Sequence, residues 1–283
     1  MDKRMYIIAA LIAVAVIAGI ADFIQPRLGG GHVIAGLQVT EYSNASALAK
    51  VVSTMASYGI KPSTIFVSKE VVGQNCTLIR NLDSEGYEIA AFAYNVSPAG
   101  VLVPISSLTD VQQESIINGT KSALEACLGH PVYGFRSQGF SKNNYTNELV
   151  SQLGFRWDAS FVTGVDPQAS PVPYYSNTYG FYVVSIPGII EAGRAYVLCD
   201  RACASTGKTA QQWREMVESA YLEDKVSGAP FITEFHPNFL VSNSTWWGNF
   251  TQLLGWMSQQ NATYMTTWQL IENCTKPQLT CGG

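Results

Sequence analysis

From Val33 onward, short apolar runs alternate with segments whose apolar positions recur every three to four residues. The runs read as buried strands at 33–39, 63–67, 87–94, 132–135, 155–159, 182–186 and 230–235, with a short one at 263–265. Helical periods fill the gaps at 44–58, 69–84, 109–128, 144–153, 209–224 and 245–259, and a last helix starts at Thr267. In the first of these, Leu48, Val51, Val52 and Met55 share one face; in the sixth, Phe250, Leu253, Leu254 and Met257 do. Thr109 with Gln112, and Thr209 with Gln212, have the spacing of capping boxes, in which each side chain satisfies a free backbone N–H of the first helical turn. The stretch from 160 to 181, rich in Pro and Tyr, follows neither period.

Strand–helix units in series imply parallel strands with helices outside. About seven units in roughly 250 residues suit an α/β fold of the distorted (β/α) barrel type, with about seven parallel strands, better than an open sheet. In such a barrel the chemistry lies at the carboxyl ends of the strands. No internal repeat is evident.

The first 24 residues follow a different pattern. Lys3 and Arg4 precede an unbroken apolar run over residues 5–21, which Asp22 ends. The run is at the short limit for a spanning helix and long for a signal-peptide core. Both readings stand: an uncleaved transmembrane signal anchor, or a signal peptide cut after Gly19-Ile20-Ala21. The positive flank predicts a cytoplasmic amino end with the remainder outside. Residues 25–32 then form a glycine-rich linker, and residues 33–283 the barrel domain.

Composition agrees with export. Only 13% of residues are charged, and the net charge of −4 with no basic run argues against nucleic acid as a partner. Nine asparagines begin N-x-[ST] sequons, where chance gives about two: Asn44, Asn75, Asn95, Asn118, Asn144, Asn243, Asn249, Asn261 and Asn273. Pro98 weakens the one at Asn95. Six cysteines, all beyond the apolar segment, read as three disulfides of an extracellular glycoprotein, with 15 pairings open in principle. Cys76 and Cys127 fall on successive helices, neighbours outside a barrel. Cys199 and Cys203 are expected to close a small loop, and Cys274 and Cys281 to tie the tail. Cys199 and Cys203 lack the second pair or the nearby histidine that a zinc cluster needs.

Three segments carry a family resemblance. Residues 63–94 run S-T-I-F-V, a helix, then G-Y-E-I-A-A-F-A-Y-N; residues 134–161 begin G-F-R-S-Q-G-F-S; residues 230–237 read P-F-I-T-E-F-H-P. In order and spacing they resemble the polysaccharide deacetylase (NodB-homology) family, over roughly residues 33–273. The resemblance implies a distorted (β/α) barrel and hydrolysis of acetylated sugars in carbohydrate metabolism. The family's divalent metal, such as zinc, is held by one Asp and two His; a second Asp acts as base, braced by an Arg, and a late His as acid.

Here the metal positions are altered. The first strand ends in Thr40 and Glu41 where the family has aspartate, and only Glu41 offers a ligand. The two histidine positions fall on Phe92 and Val96. Arg136 and His236 remain at their family positions, with Gln138 replacing the motif proline. No metal or other cofactor is therefore expected, and the resemblance is to a degenerate member.

Arg136, His236 and Glu41 are the candidate catalytic residues, expected to converge at one barrel mouth; Phe92, Asn95 and Trp246 are candidate binding residues. Structural roles compete with each: Arg136 pairing Glu41 or Glu234, His236 capping a strand, Phe92 and Trp246 packing in cores. Gly207-Lys208-Thr209 lacks the first glycine of a phosphate loop, and neither a G-x-S-x-G elbow nor a G-x-G-x-x-G turn occurs. The leading reading is a membrane-anchored pseudoenzyme that binds surface polysaccharide or envelope glycoprotein. An active amide or ester hydrolase with a departed site, and a structural envelope subunit, are the alternatives.

Overall fold

The computed structural model describes residues 32–191 and 194–275. The predicted anchor, most of the linker, and Cys281 with its predicted bond to Cys274 lie outside them. Among the described residues, no helix is long and apolar enough to cross a membrane.

Seven parallel strands form the sheet in the order β10 (Phe231–Phe235), β1 (Val33–Glu41), β2 (Thr64–Val67), β3 (Glu88–Ala93), β4 (Gly134–Ser137), β5 (Trp157–Val162), β7 (Phe181–Ile186). A short antiparallel β6 (Tyr174–Ser176) extends the far edge, and β11 (Ala262–Tyr264) pairs with the start of β1. This is the expected distorted barrel, with a difference at the seam. β7 and β10 do not pair. The hairpin of β8 (Gly188–Glu191) and β9 (Arg194–Val197), which the sequence pattern did not predict, leads Leu198 and Cys199 into the gap. There Leu198 N donates to Pro187 O at 3.0 Å, and Cys199 bridges Glu234 in parallel fashion.

Outside lie α1 (Ala45–Ser57), α2 (Lys69–Ser84), α3 (Asp110–Leu128), α4 (Asn144–Gln152), α5 (Asp200–Ser205), α6 (Ala210–Ser227), α7 (Pro237–Ser242) and α8 (Ser244–Met257), whereas α9 (Thr267–Thr275) packs against the barrel interior. Both capping boxes are formed, at the starts of α3 and α6. The disulfide Cys76–Cys127 joins α2 to α3 as expected.

Cys199 and Cys203, however, are both free thiols. They are the N-cap and a residue of the single turn of α5, where Cys203 N donates to Cys199 O. Cys203 is buried in the outer core, whereas Cys199 lines the cavity at the barrel mouth, its sulfur within 4.8 Å of the His236 ligand atom.

The two-residue period of the strands divides the core. Leu37, Val39, Ile65, Ile89, Ala91, Phe135, Phe231 and Phe235 face the helices. Phe66, Ala90, Phe92, Trp157, Ala159, Val184 and Ile232 fill the barrel, and Leu270 and Ile271 of α9 pack with them. Gly134 has a steric reason: a Cβ there would stand 2.0 Å from the Trp157 ring.

Glu88, at the start of β3, is half-buried beside these interior groups. It accepts hydrogen bonds from Trp157 Nε1, Thr64 Oγ1 and Trp268 N at 3.1, 3.0 and 2.9 Å. Burial outweighs these bonds and lifts its pKa to about 7. A carboxyl lifted this way binds its proton more tightly when folded. Its contribution is therefore neutral below the unfolded pKa of about 4.5 and falls as pH rises toward 7. Thermal unfolding from pH 5 to 7 should show stability declining with a slope that Glu88→Gln reduces; identical slopes in the two proteins would contradict this assignment.

Candidate functional site

β4 delivers Arg136 to the barrel interior, where its side chain is 1% exposed. Such a guanidinium requires partners on every side. Its Nη1 donates to Glu234 Oε1 at 2.7 Å, its Nε to Ala159 O at 3.0 Å, and its Nη2 to Gln38 Oε1. The guanidinium carbon stands 4.1 Å from the centre of the Phe66 ring. Thr40 Oγ1 donates to the same Glu234 oxygen at 2.5 Å, whereas Glu234 Oε2 is buried without a hydrogen-bond partner.

His236 follows β10. Its Nε2 is 3.7 Å from Glu234 Oε1, and its Nδ1 donates to Asp200 Oδ1 at 2.6 Å. Asp200 also accepts the backbone N–H of His236 at 2.8 Å and that of Arg201 at 2.6 Å. Burial disfavours the charged imidazole, but Glu234 and Asp200 outweigh it and hold the pKa of His236 well above its ordinary value. Burial likewise pushes Glu234 up, and Arg136 and His236 more than reverse it, leaving its pKa below the usual carboxylate range. The result is a buried chain of alternating charge: Arg136, Glu234, His236, Asp200. The Cys199 thiol at its edge is pushed up by burial and remains protonated at neutral pH.

The turn after β4 shapes the mouth. Gly139 and Phe140 both take left-handed conformations, φ 59° and 57°. For phenylalanine this conformation costs about 1–2 kcal/mol. It sets the Phe140 ring 5.3 Å from the Arg136 guanidinium. Gln138, where the family has proline, accepts Asn95 N at 2.9 Å and so pins the loop after β3. A cavity of about 230 Å³ opens here, walled by the aromatic rings of Tyr42, Phe92, Tyr94 and Phe140, with Arg201 and His236 among its polar groups.

The sequence-based candidates separate at this point. Arg136 and His236 meet around Glu234, and Phe92 lines the cavity, 5% exposed. Glu41 lies at the same end but does not face Arg136. Its Oε1 accepts the N–H groups of Tyr42, Ser43 and Asn44 at 3.0, 2.9 and 3.1 Å, and its Oε2 that of Asn238 at 2.7 Å. It is a structural cap for two loops. Asn95 is half-buried beside the mouth, held by its backbone. Trp246 is not at the mouth: it is 7% exposed in the outer core, packed on Trp213 and Phe239 at 5.6 and 5.0 Å. None of the nine sequon asparagines is buried.

The residues at the family's metal positions do not fit a metal. Phe92 offers only carbon, Val96 is 37% exposed in a small bridge with Leu102, and Glu41 is committed to four N–H donors. Cys199, Asp200 and His236 do present ligand-type atoms within 4.8 Å of one another. Their arrangement is that of a hydrogen-bonded relay: Asp200 is consumed by two backbone N–H groups and the imidazole. Asp200, Arg201, Tyr42 and Tyr94 were not anticipated from sequence.

Residues 41–157 match the family described as polysaccharide deacetylase. The fold agrees. The peptidoglycan deacetylase PdaC of Bacillus subtilis aligns with 14% identity and a TM-score of 0.56, covering 88% of this chain and 93% of that one. The allantoinase PuuE aligns with 13% identity and a TM-score of 0.64, covering 89% and 94%. A CE4 family pseudoenzyme of Bacillus anthracis aligns with 11% identity and a TM-score of 0.51, covering 86% and 66%. No curated protein matches the chain in sequence. The barrel and this match give the chain the distorted (β/α) barrel fold of the solved polysaccharide deacetylases. Over residues 41–157 the chain is similar to the polysaccharide deacetylase family, and Phe92 and Val96 stand where that family has its histidine pair.

Proposed function

We propose that this protein is a pseudoenzyme of the polysaccharide deacetylase family, an extracytoplasmic glycoprotein anchored by its amino-terminal apolar segment, whose barrel mouth binds surface glycan. One observation carries the reading: the wall that would present metal-bound imidazoles presents instead the ring of Phe92 and three further aromatic rings around a cavity of about 230 Å³. Aromatic faces beside a few polar groups suit a sugar, which has apolar C–H faces and polar edges. No metal takes part. The sequons, all on half-buried or exposed asparagines, support the location.

The intact Asp200–His236 pair favours a second reading, a hydrolase with a departed site. One experiment separates the two. The purified full chain should release no acetate from acetylated oligosaccharides, with or without added zinc, and should give signals on a glycan array. Acetate release that His236→Ala abolishes would replace the first reading by the second.

A further inference from the structure

The charges around the cavity do not balance, and the excess lies on one residue. Arg136 and Glu234 neutralise each other, as do His236 and Asp200. Arg201 is left over. Its Nη1 donates to Tyr42 Oη at 2.7 Å, and its guanidinium stands 5.3 Å from the centre of the Tyr42 ring. Among the described residues, no carboxylate lies within ion-pair distance of it. A guanidinium has five N–H donors in a planar fork, and a single phenol oxygen accepts from one of them. The remaining donors are matched in geometry to a carboxylate.

The rest of the wall says what carries that carboxylate. Tyr42 and Tyr94 stack at 4.7 Å, and Phe92 lies 6.3 Å from Tyr42. This is a continuous aromatic floor beside the free cation. The cavity is smaller than the roughly 300–1,000 Å³ of common ligand clefts. It suits one ring at the end of a chain rather than a run of sugars.

Building on the glycan-binding reading, we propose that the mouth selects a terminal sugar bearing a carboxylate, such as a uronic acid, with Arg201 pairing the carboxylate and Tyr42, Tyr94 and Phe92 stacking on the ring. The same fork also fits the anionic oxygens of a sulfated sugar, so the test includes both.

Isothermal titration of the full chain with methyl glucuronide, its carboxyl-reduced counterpart methyl glucoside, and a glucose sulfate decides the matter. The glucuronide should bind about tenfold or more tighter than the glucoside, as expected for a charge-assisted hydrogen bond, and tighter than the sulfate. Added salt should narrow the gap. Arg201→Gln should erase the preference while leaving the weak glucoside affinity within about twofold. Equal binding of glucuronide and glucoside, or a sulfate preference, would overturn the carboxylate assignment and leave the glycan-binding reading standing. Arg201→Gln losing both sugars alike would show Arg201 to be structural and also overturn it. Absence of binding by any sugar, in a protein with its normal thermal transition, would remove both.

Discussion

Arg136→Met should lower the stability of the domain by about 3–5 kcal/mol, the range for removing one partner of a buried ion pair. Glu234 is the reason. It is 2% exposed, its Oε2 has no hydrogen-bond partner, and its Oε1 depends on Arg136 and Thr40. Without the guanidinium the carboxylate stays buried against a distant imidazole at 3.7 Å. The double variant Arg136→Met/Glu234→Leu removes both charges and should recover a large part of the loss. Denaturant unfolding of the three proteins is the measurement. A single variant within about 1 kcal/mol of the parent, or a double variant no better than the single, would show that the pair does not hold the barrel as described.

Removing the Cys76–Cys127 bond by Cys76→Ala/Cys127→Ala should cost about 4 kcal/mol, the chain-entropy value for a loop of 51 residues. The free thiols supply the control. In denaturant without reductant, iodoacetamide should label Cys199 and Cys203 but neither Cys76 nor Cys127. In the native protein both free thiols, each buried, should react slowly. Labelling of Cys76 in the unreduced chain, or loss of the Cys199 label, would reverse the disulfide assignment.

The barrel was legible because its strands are buried on both faces and its helices on one, so the sequence switches visibly between continuous apolar runs and a 3.6-residue period. The parts that escaped have local causes. β6 and the β8–β9 hairpin lie in or near the stretch rich in Pro and Tyr, and each strand has four residues or fewer, too short to display a period. Cys199 and Cys203 are spaced as a small loop would be, and one helical turn has the same spacing.

In the site, Arg136 and His236 were legible through their motifs. Two errors were avoidable by counting. Gln38 and Thr40 face the barrel interior, so Glu41, one residue on, must point away from it. Trp246 is four residues before Phe250 and seven before Leu253, which places it on the buried face of α8. Asp200 had no such signal. It enters through the seam, after an irregular crossing, and only the three-dimensional structure brings it to His236.

The four N–H groups gathered on Glu41 bear on how such a protein changes over time. This carboxylate fastens the first strand-to-helix turn and, through Asn238, the turn after the last barrel strand. Imidazoles placed at positions 92 and 96 would find no free carboxylate at position 41, whose oxygens are already spoken for. Shortening Glu41 to aspartate would draw the carboxylate back by one methylene and loosen one turn or the other. A change at position 41 toward the family's aspartate therefore weakens the fold first. The cap acts as a ratchet on position 41: any substitution there is weighed first by what it does to two turns, while the residues of the mouth are left free to vary around it.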